Sequence, residues 1–187
     1  MDKPVEQLIA EYLNGDERAL ELLVRMYFTR VYNFVMRLAG GSNDVEDIVQ
    51  ETFVKVWRSL KKFKAGGNFN ALLFRIARNT AIDWLRKRKT PVFSDFENIE
   101  GVSLLTDTLA DNKPLPDEIV ERVLEANALD QLINGLPLAQ REVLLLHYAE
   151  GLTFEEIGQI VKKPLNTVKS RHQRAVETLR GLLNAPK

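Results

Sequence analysis

A chain of 187 residues, 45% apolar and 28% charged, is long enough for one large or two small cored domains and too apolar to remain unfolded. Its longest apolar runs, 71–74 and 143–146, are four residues each, against about 20 for a bilayer-spanning helix, and with no cysteine it has no disulfide, thiol nucleophile or Cys-type zinc site. The 26 basic and 26 acidic residues cancel overall but segregate along the chain: 65–90 carry +5, 91–125 carry −7, 126–161 carry −4 and 162–187 carry +6.

The first ten residues include Asp2, Lys3, Pro4, Glu6 and Gln7 and lack the apolar stretch of a secretory signal, so a cytoplasmic protein is expected. A short amphipathic helix is predicted from Val5 to Leu13. A core helix follows over 16–38, with Asp16 as N-cap and Leu20, Leu23, Val24, Tyr27, Val31, Phe34, Val35 and Leu38 on one stripe. From Asp44 to Leu60 the apolar set Val45, Ile48, Val49, Thr52, Phe53, Val56, Trp57 and Leu60 repeats, leaving Asp44, Asp47, Gln50, Glu51 and Lys55 opposite.

A third stripe, 69–85, predicts Phe69, Leu72, Leu73, Ile76, Ala77, Thr80 and Trp84 inside and Arg75, Asn79, Asp83 and Arg86 outside. The helix ends in Arg86, Lys87, Arg88 and Lys89. The loop before it, Lys61 to Asn70, combines two glycines with amides and aromatics, a composition able to hold an extruded base. Read alone, Phe63, Phe69 and Trp84 suit core packing better than base stacking, and the terminal cations suit a helix C-terminus.

The segment 91–125 holds three prolines and no sustained periodicity, and reads as an acidic linker. Four helical patterns follow, at about 120–134, 137–149, 154–161 and 167–183. Pro137 suits a first helical turn, Gly151 a helix end, and Thr153 with Glu156 a capping box. The eight-residue helix at 154–161, the break at Lys162 to Leu165 and the longer helix after it have helix-turn-helix spacing. Val168, His172, Ala175, Leu179 and Leu182 of that last helix face the core. Lys169, Ser170, Gln173, Arg174 and Glu177 lie opposite, with Gln173 suited to adenine, Arg174 or Lys169 to guanine, and Thr167 at the helix start to a phosphate. The fold class is all-α: two small helical domains, 1–90 and 120–187, joined by a flexible acidic linker over 91–119.

These motifs resemble the bacterial sigma factors of the extracytoplasmic-function (ECF) class. Residues 44–57 look like the family's polymerase-binding helix and 74–86 like its promoter-melting helix in region 2. Residues 136–143, 151–158 and 166–171 look like region 4. The resemblance implies that Asp44, Asp47, Gln50, Glu51 and Trp57 form or support the surface meeting the β′ clamp of core RNA polymerase, with the β flap as a further polymerase contact. It implies that Lys64, Asn68, Phe69, Asn70, Arg75, Asn79, Asp83, Arg86, Lys87 and Arg88 serve the −10 element. Lys169, Ser170, Gln173 and Arg174 would read the −35 element, with Thr167, Arg171 and His147 near phosphates. Promoter DNA and an anti-sigma factor are the other implied partners, and the acidic linker would enter the RNA path. In the family a glycine usually precedes the recognition helix; Asn166 stands there, a residue that tolerates positive φ.

Only two histidines, 25 positions apart, and the absence of catalytic motifs leave no catalytic residue to assign, and neither cofactor nor metal is expected. The main alternative is an operator-binding helix-turn-helix regulator with a ligand-binding or dimerising N-terminal domain; an operator binder takes up duplex DNA on its own, whereas a sigma factor relies on polymerase.

Overall fold

A computed structural model describes residues 3–41, 43–63, 66–88 and 129–184. The predicted linker, 91–119, lies outside them, as do Lys64, Lys89 and 120–128. Among the described residues every regular element is a helix: α1 (Val5–Leu13), α2 (Glu17–Ala39), α3 (Val45–Leu60), α4 (Phe69–Arg88), α5 (Leu129–Asn134), α6 (Leu138–Leu144) running into a π turn (Leu145–Ala149), α7 (Phe154–Val161) and α8 (Leu165–Asn184).

In the N-terminal unit, α2 is the central strut. Its start is held by Asp16, whose carboxylate accepts the Arg18 amide, and its end by Gly40 in the left-handed region at φ 70°. Val31, Phe34, Val35 and Leu38 point inward against Ile48, Val49 and Val56 of α3 and Leu73, Phe74 and Ala77 of α4. Phe34 and Phe74 meet edge to face at 5.3 Å. In the C-terminal unit, α6 and α8 pack through Leu144, Ala175, Val176 and Leu179, with Leu136 beside them.

Four details depart from the expected pattern. Phe74, Ala81 and Ile82 are buried, whereas Leu72, Ile76 and Trp84 of the expected stripe are only half-buried, because α4 is covered on a second side by α7. Pro137 is the N-cap of α6 rather than its first turn. The residue with positive φ at the helix-turn-helix break is Lys162, at φ 55°, and Asn166 already lies inside α8. The 137–149 pattern changes pitch at Leu145, from α to i→i+5 winding.

The two units meet face to face, an arrangement the sequence left open. Glu150, with a side chain only 3% exposed, accepts from Arg30 of α2 at 2.9 Å. The Arg30 guanidinium also lies over the Tyr27 and Phe74 rings, 5.1 and 5.5 Å from their centroids. Glu142, equally buried, accepts from Arg78 of α4 at 2.8 Å and from Arg171 of α8 at 3.4 Å. Arg141 donates to the Arg37 and Leu38 carbonyls at the end of α2, at 3.3 and 3.2 Å, and to the Asn134 and Leu136 carbonyls of its own unit. Its burial lowers the guanidinium pKa below the ordinary arginine value.

Burial pushes the Glu150 carboxyl up to about 7, against the opposing pull of Arg30 and Arg37. Since its ordinary value is 4.5, the folded protein binds more protons there than the unfolded chain between the two values, and stability falls as pH rises through that window. Thermal melts between about pH 5 and 8 should show the wild type losing roughly 1–3 kcal/mol relative to Glu150→Gln; parallel pH profiles would exclude this role. At the tight turn, a Cβ on Gly158 would lie 3.0 Å from the Lys163 backbone oxygen. Gly158→Ala should therefore cost about 1–3 kcal/mol in a denaturant titration, and an unchanged midpoint would refute that close approach.

Candidate nucleic-acid interface

The helix-turn-helix is fixed at its start by a reciprocal cap. Thr153 Oγ1 accepts the Glu156 amide, and the Glu156 carboxylate accepts the Thr153 amide at 2.9 Å. That backbone bond, with help from the Thr153 hydroxyl and the Asn68 amide, holds the Glu156 pKa below the usual carboxylate value. After the break, Val168, Ala175 and Leu179 anchor α8 in the core, and Lys169, Gln173 and Arg174 are exposed on its other side, as the periodicity predicts. Lys169 and Gln173 lie four residues apart, neighbours on successive turns. Thr167 and Ser170 are half-buried, the Ser170 hydroxyl donating to the Thr167 carbonyl at 3.0 Å. The Gln173 amide donates to Glu177 at 3.0 Å.

Two members of the expected −35 set are committed to packing. Arg171 pairs with Glu142. His147 is half-buried, stacked on Phe154 at 4.4 Å, with Nδ1 2.8 Å from the Leu152 carbonyl. A carbonyl only accepts, so Nδ1 carries the proton and the ring holds the turn before α7. His172 is half-buried in the same aromatic cluster, its Nε2 2.9 Å from the Tyr148 hydroxyl.

On α4, Arg75, Asn79, Asp83, Arg86 and Lys87 are exposed, and Arg78 donates to the Asn79 side-chain oxygen at 3.1 Å. Arg88 ends the helix. The preceding loop is more structural than expected. Asn68 caps α4, its side-chain oxygen accepting the Ala71 amide at 3.1 Å while its NH₂ donates to Glu156 across the unit boundary. Asn70 accepts the Tyr27 hydroxyl at 2.7 Å, and burial raises the Tyr27 pKa. Phe69, expected among the −10 residues, is 7% exposed and sits edge-on to Tyr27 and Phe63, so it offers no free face for a base. Its register on the apolar stripe already carried that signal.

On α3, Asp47, Gln50 and Glu51 form an exposed row, with Glu51 paired to Lys55 at 2.8 Å. Asp44 precedes the helix, half-buried, and half-buried Trp57 packs against Phe53 with ring centres 6.4 Å apart. Beside the row, Val54 and Phe28 stay 37% and 44% exposed, Phe28 stacked on Phe53. The sequence reading missed both; Val54 breaks the polar side of the α3 wheel, but Phe28 becomes a neighbour only in three dimensions. Among the described residues no group of three or more His, Cys, Asp or Glu side chains is placed to hold a metal ion, and no helix is long and apolar enough to cross a membrane.

The comparisons divide the chain at the same two units. Residues 23–90 match Sigma-70 region 2 and residues 126–179 match Sigma-70 region 4. The chain is similar to the ECF RNA polymerase sigma factor SigW of Bacillus subtilis, 33% identical over 185 residues and 98% of each chain. It is likewise similar to the RNA polymerase sigma-H factor of Pseudomonas aeruginosa, 32% identical over 93% of this chain and 91% of that one. Among solved structures, CnrH in complex with the cytosolic domain of CnrY shares the fold, with TM-score 0.68, 24% identity and coverage of 98% and 99%. The sigma factor RpoE from Bartonella quintana, in complex with the anti-sigma factor NepR, matches with TM-score 0.64 and 25% identity over 89% of this chain and 98% of that one. With both regions in order and relatives matched nearly end to end, the chain belongs to the ECF sigma factors, which bind core RNA polymerase and direct promoter-specific transcription initiation.

Proposed function

We propose a division of labour among three surfaces. The α3 row of Asp47, Gln50 and Glu51, supported by Asp44 and Trp57 and flanked by Val54 and Phe28, meets the β′ clamp of core polymerase, and region 4 meets the β flap. Acidic and amide groups around an exposed apolar patch suit a partner surface that is basic at its rim and apolar at its centre. The α4 face of Arg75, Asn79, Asp83, Arg86 and Lys87 serves the −10 element, together with Lys64, which precedes the helix in sequence, and Arg88, its last residue. There the cations neutralise phosphates, and the amide and carboxylate bond to an unstacked base. Asn68, Phe69 and Asn70 shape the loop beside it.

The observation that carries the −35 assignment is the exposed trio Lys169, Gln173 and Arg174 on a helix rigidly held by a capped partner helix. Amide and guanidinium groups at that spacing supply bidentate bonds to adenine and guanine edges. Thr167, Ser170 and Arg171 support backbone contacts, and His147 holds the turn that presents them. No residue is assigned to catalysis, which belongs to the polymerase. The working compartment is the cytoplasm, where polymerase and promoters are. An anti-sigma factor of the kind bound to the Bartonella quintana relative is a further partner.

Run-off transcription with core polymerase and genomic promoter fragments tests this reading. The wild type should direct discrete start sites. Lys169→Ala/Arg174→Ala should reduce them by about tenfold or more, each lost base contact costing about 1–3 kcal/mol. Absence of discrete starts with wild type refutes the three-surface scheme, and a double variant equal to wild type refutes the −35 assignment.

A further inference from the structure

A cleft of about 470 Å³ lies between α4 on one side and α6, α7 and α8 on the other. That volume is in the range of small-molecule sites, roughly 300–1,000 Å³, and is too small for a nucleic-acid duplex. Its walls carry five cations against two carboxylates, a net charge of +3, beside apolar side chains from Ile82, Leu138 and Val161. A cleft lined mostly by one sign of charge focuses its field and draws in the opposite ion. The cations are not balanced from within. Arg78 and Arg171, with side chains 19% and 18% exposed, share the single Glu142 carboxylate, itself 3% exposed. Two guanidinium groups answered by one carboxylate leave a positive charge largely out of water, and such a charge gains from an anion that brings hydrogen-bond acceptors. Gln140, on the same wall, has a buried side-chain oxygen with no hydrogen-bond partner among the described residues. That oxygen only accepts, so it calls for an N–H or O–H.

We propose that this cleft is a binding site for a nucleoside triphosphate, whose phosphates are held by Arg78, Arg86, Lys163, Arg171 and Arg174 and whose base lies on Ile82 and Leu138 and gives an N–H to Gln140. Guanidinium groups meet phosphate oxygens two bonds at a time, and the Lys163 ammonium adds a point charge. Asp83, the second carboxylate of the cleft, accepts from ribose hydroxyls. A bare phosphate chain satisfies the cations but leaves the Gln140 oxygen and the apolar wall unused, which is why the cleft favours a nucleotide over an inorganic anion. Arg174 is also one of the three side chains proposed above for the −35 element, so occupancy of the cleft and DNA reading exclude each other. That consequence rests on the promoter reading; the binding itself does not.

Titration calorimetry on the full chain tests the site, with ATP, GTP and inorganic tripolyphosphate as probes at one fixed ionic strength. ATP or GTP should bind one per chain, about tenfold or more tighter than tripolyphosphate. Gln140→Leu, which removes the acceptor and keeps much of the bulk, should weaken nucleotide binding by about five- to tenfold and leave tripolyphosphate binding unchanged. Lys163→Met should weaken all three probes by about threefold or more. Lys61→Gln/Lys62→Gln, which removes two exposed cations outside the cleft, should weaken none. The proposal is overturned by any of three results: no one-to-one nucleotide binding below about 1 mM, tripolyphosphate binding as tightly as the nucleotides, or an equal loss in the Lys61/Lys62 variant. If Gln140→Leu does not fold, the wild type decides the matter through its melting temperature. A rise with ATP that tripolyphosphate does not reproduce supports the site, and equal shifts overturn it. The run-off assay above decides the promoter reading separately, whatever the nucleotide titrations give.

Discussion

Two carboxylates with almost no access to water fix how the two units of this molecule are set against each other. Glu142 and Glu150 belong to one helical stretch of the C-terminal unit, and each is answered by an arginine from the N-terminal unit. Taking an ionised carboxylate out of water costs several kcal/mol, an expense a well-placed guanidinium offsets without much surplus. Removing one partner of such a pair leaves a buried charge alone. The ion pairs therefore give the join its geometry, and its strength comes from the apolar cluster that runs on from Phe34, Leu73 and Phe74 of the N-terminal unit to Val143, Leu146, Ile157 and Ile160 of the C-terminal one.

The proposed surfaces follow from where rigid packing stops. On α8, Val168, Ala175 and Leu179 lock one side into the core, and that fixes the opposite side for Lys169 and Gln173. On α3, Ile48, Val49 and Val56 do the same for Asp47, Gln50 and Glu51. Side chains carried by helices need little ordering when a partner arrives, which lowers the entropy lost on binding. The loop before α4 is stiffened as well, since Asn68 caps the helix and Asn70 holds Tyr27.

Much of this was legible in the residues alone. The predicted bounds of α1 and α7, 5–13 and 154–161, match the helices formed, because both have clean apolar spacing with a clear stop, and Asp16 and Thr153 cap as expected. Periodicity reports which side of a helix is apolar but not which neighbour covers it. Phe74, Ala81 and Ile82 lay outside the expected stripe because their cover comes partly from a helix more than seventy positions away in sequence. Glu142 and Glu150 were invisible for the same reason: an acid reads as solvent-facing until its cationic partner is located in space. Lys162 is not legible as the turn residue because positive φ at a non-glycine residue has only a weak local signal, and Asn166 is the better αL former of the two.

The change of pitch at Leu145 sets the aim of the second acid. Eight residues of ideal α-helix advance by about 800°, which would leave Glu150 pointing about 80° away from Glu142. Five residues wound i→i+5 turn less per step, and this rotates Glu150 back toward the side already occupied by Glu142. The backbone thus acts as a phase adjuster, aligning two side chains whose spacing in an ordinary helix would scatter them. A homologue that retained both glutamates but closed this stretch into regular α-helix would direct them at different neighbours, so sequence identity at the two acids alone does not carry over the way the halves clasp.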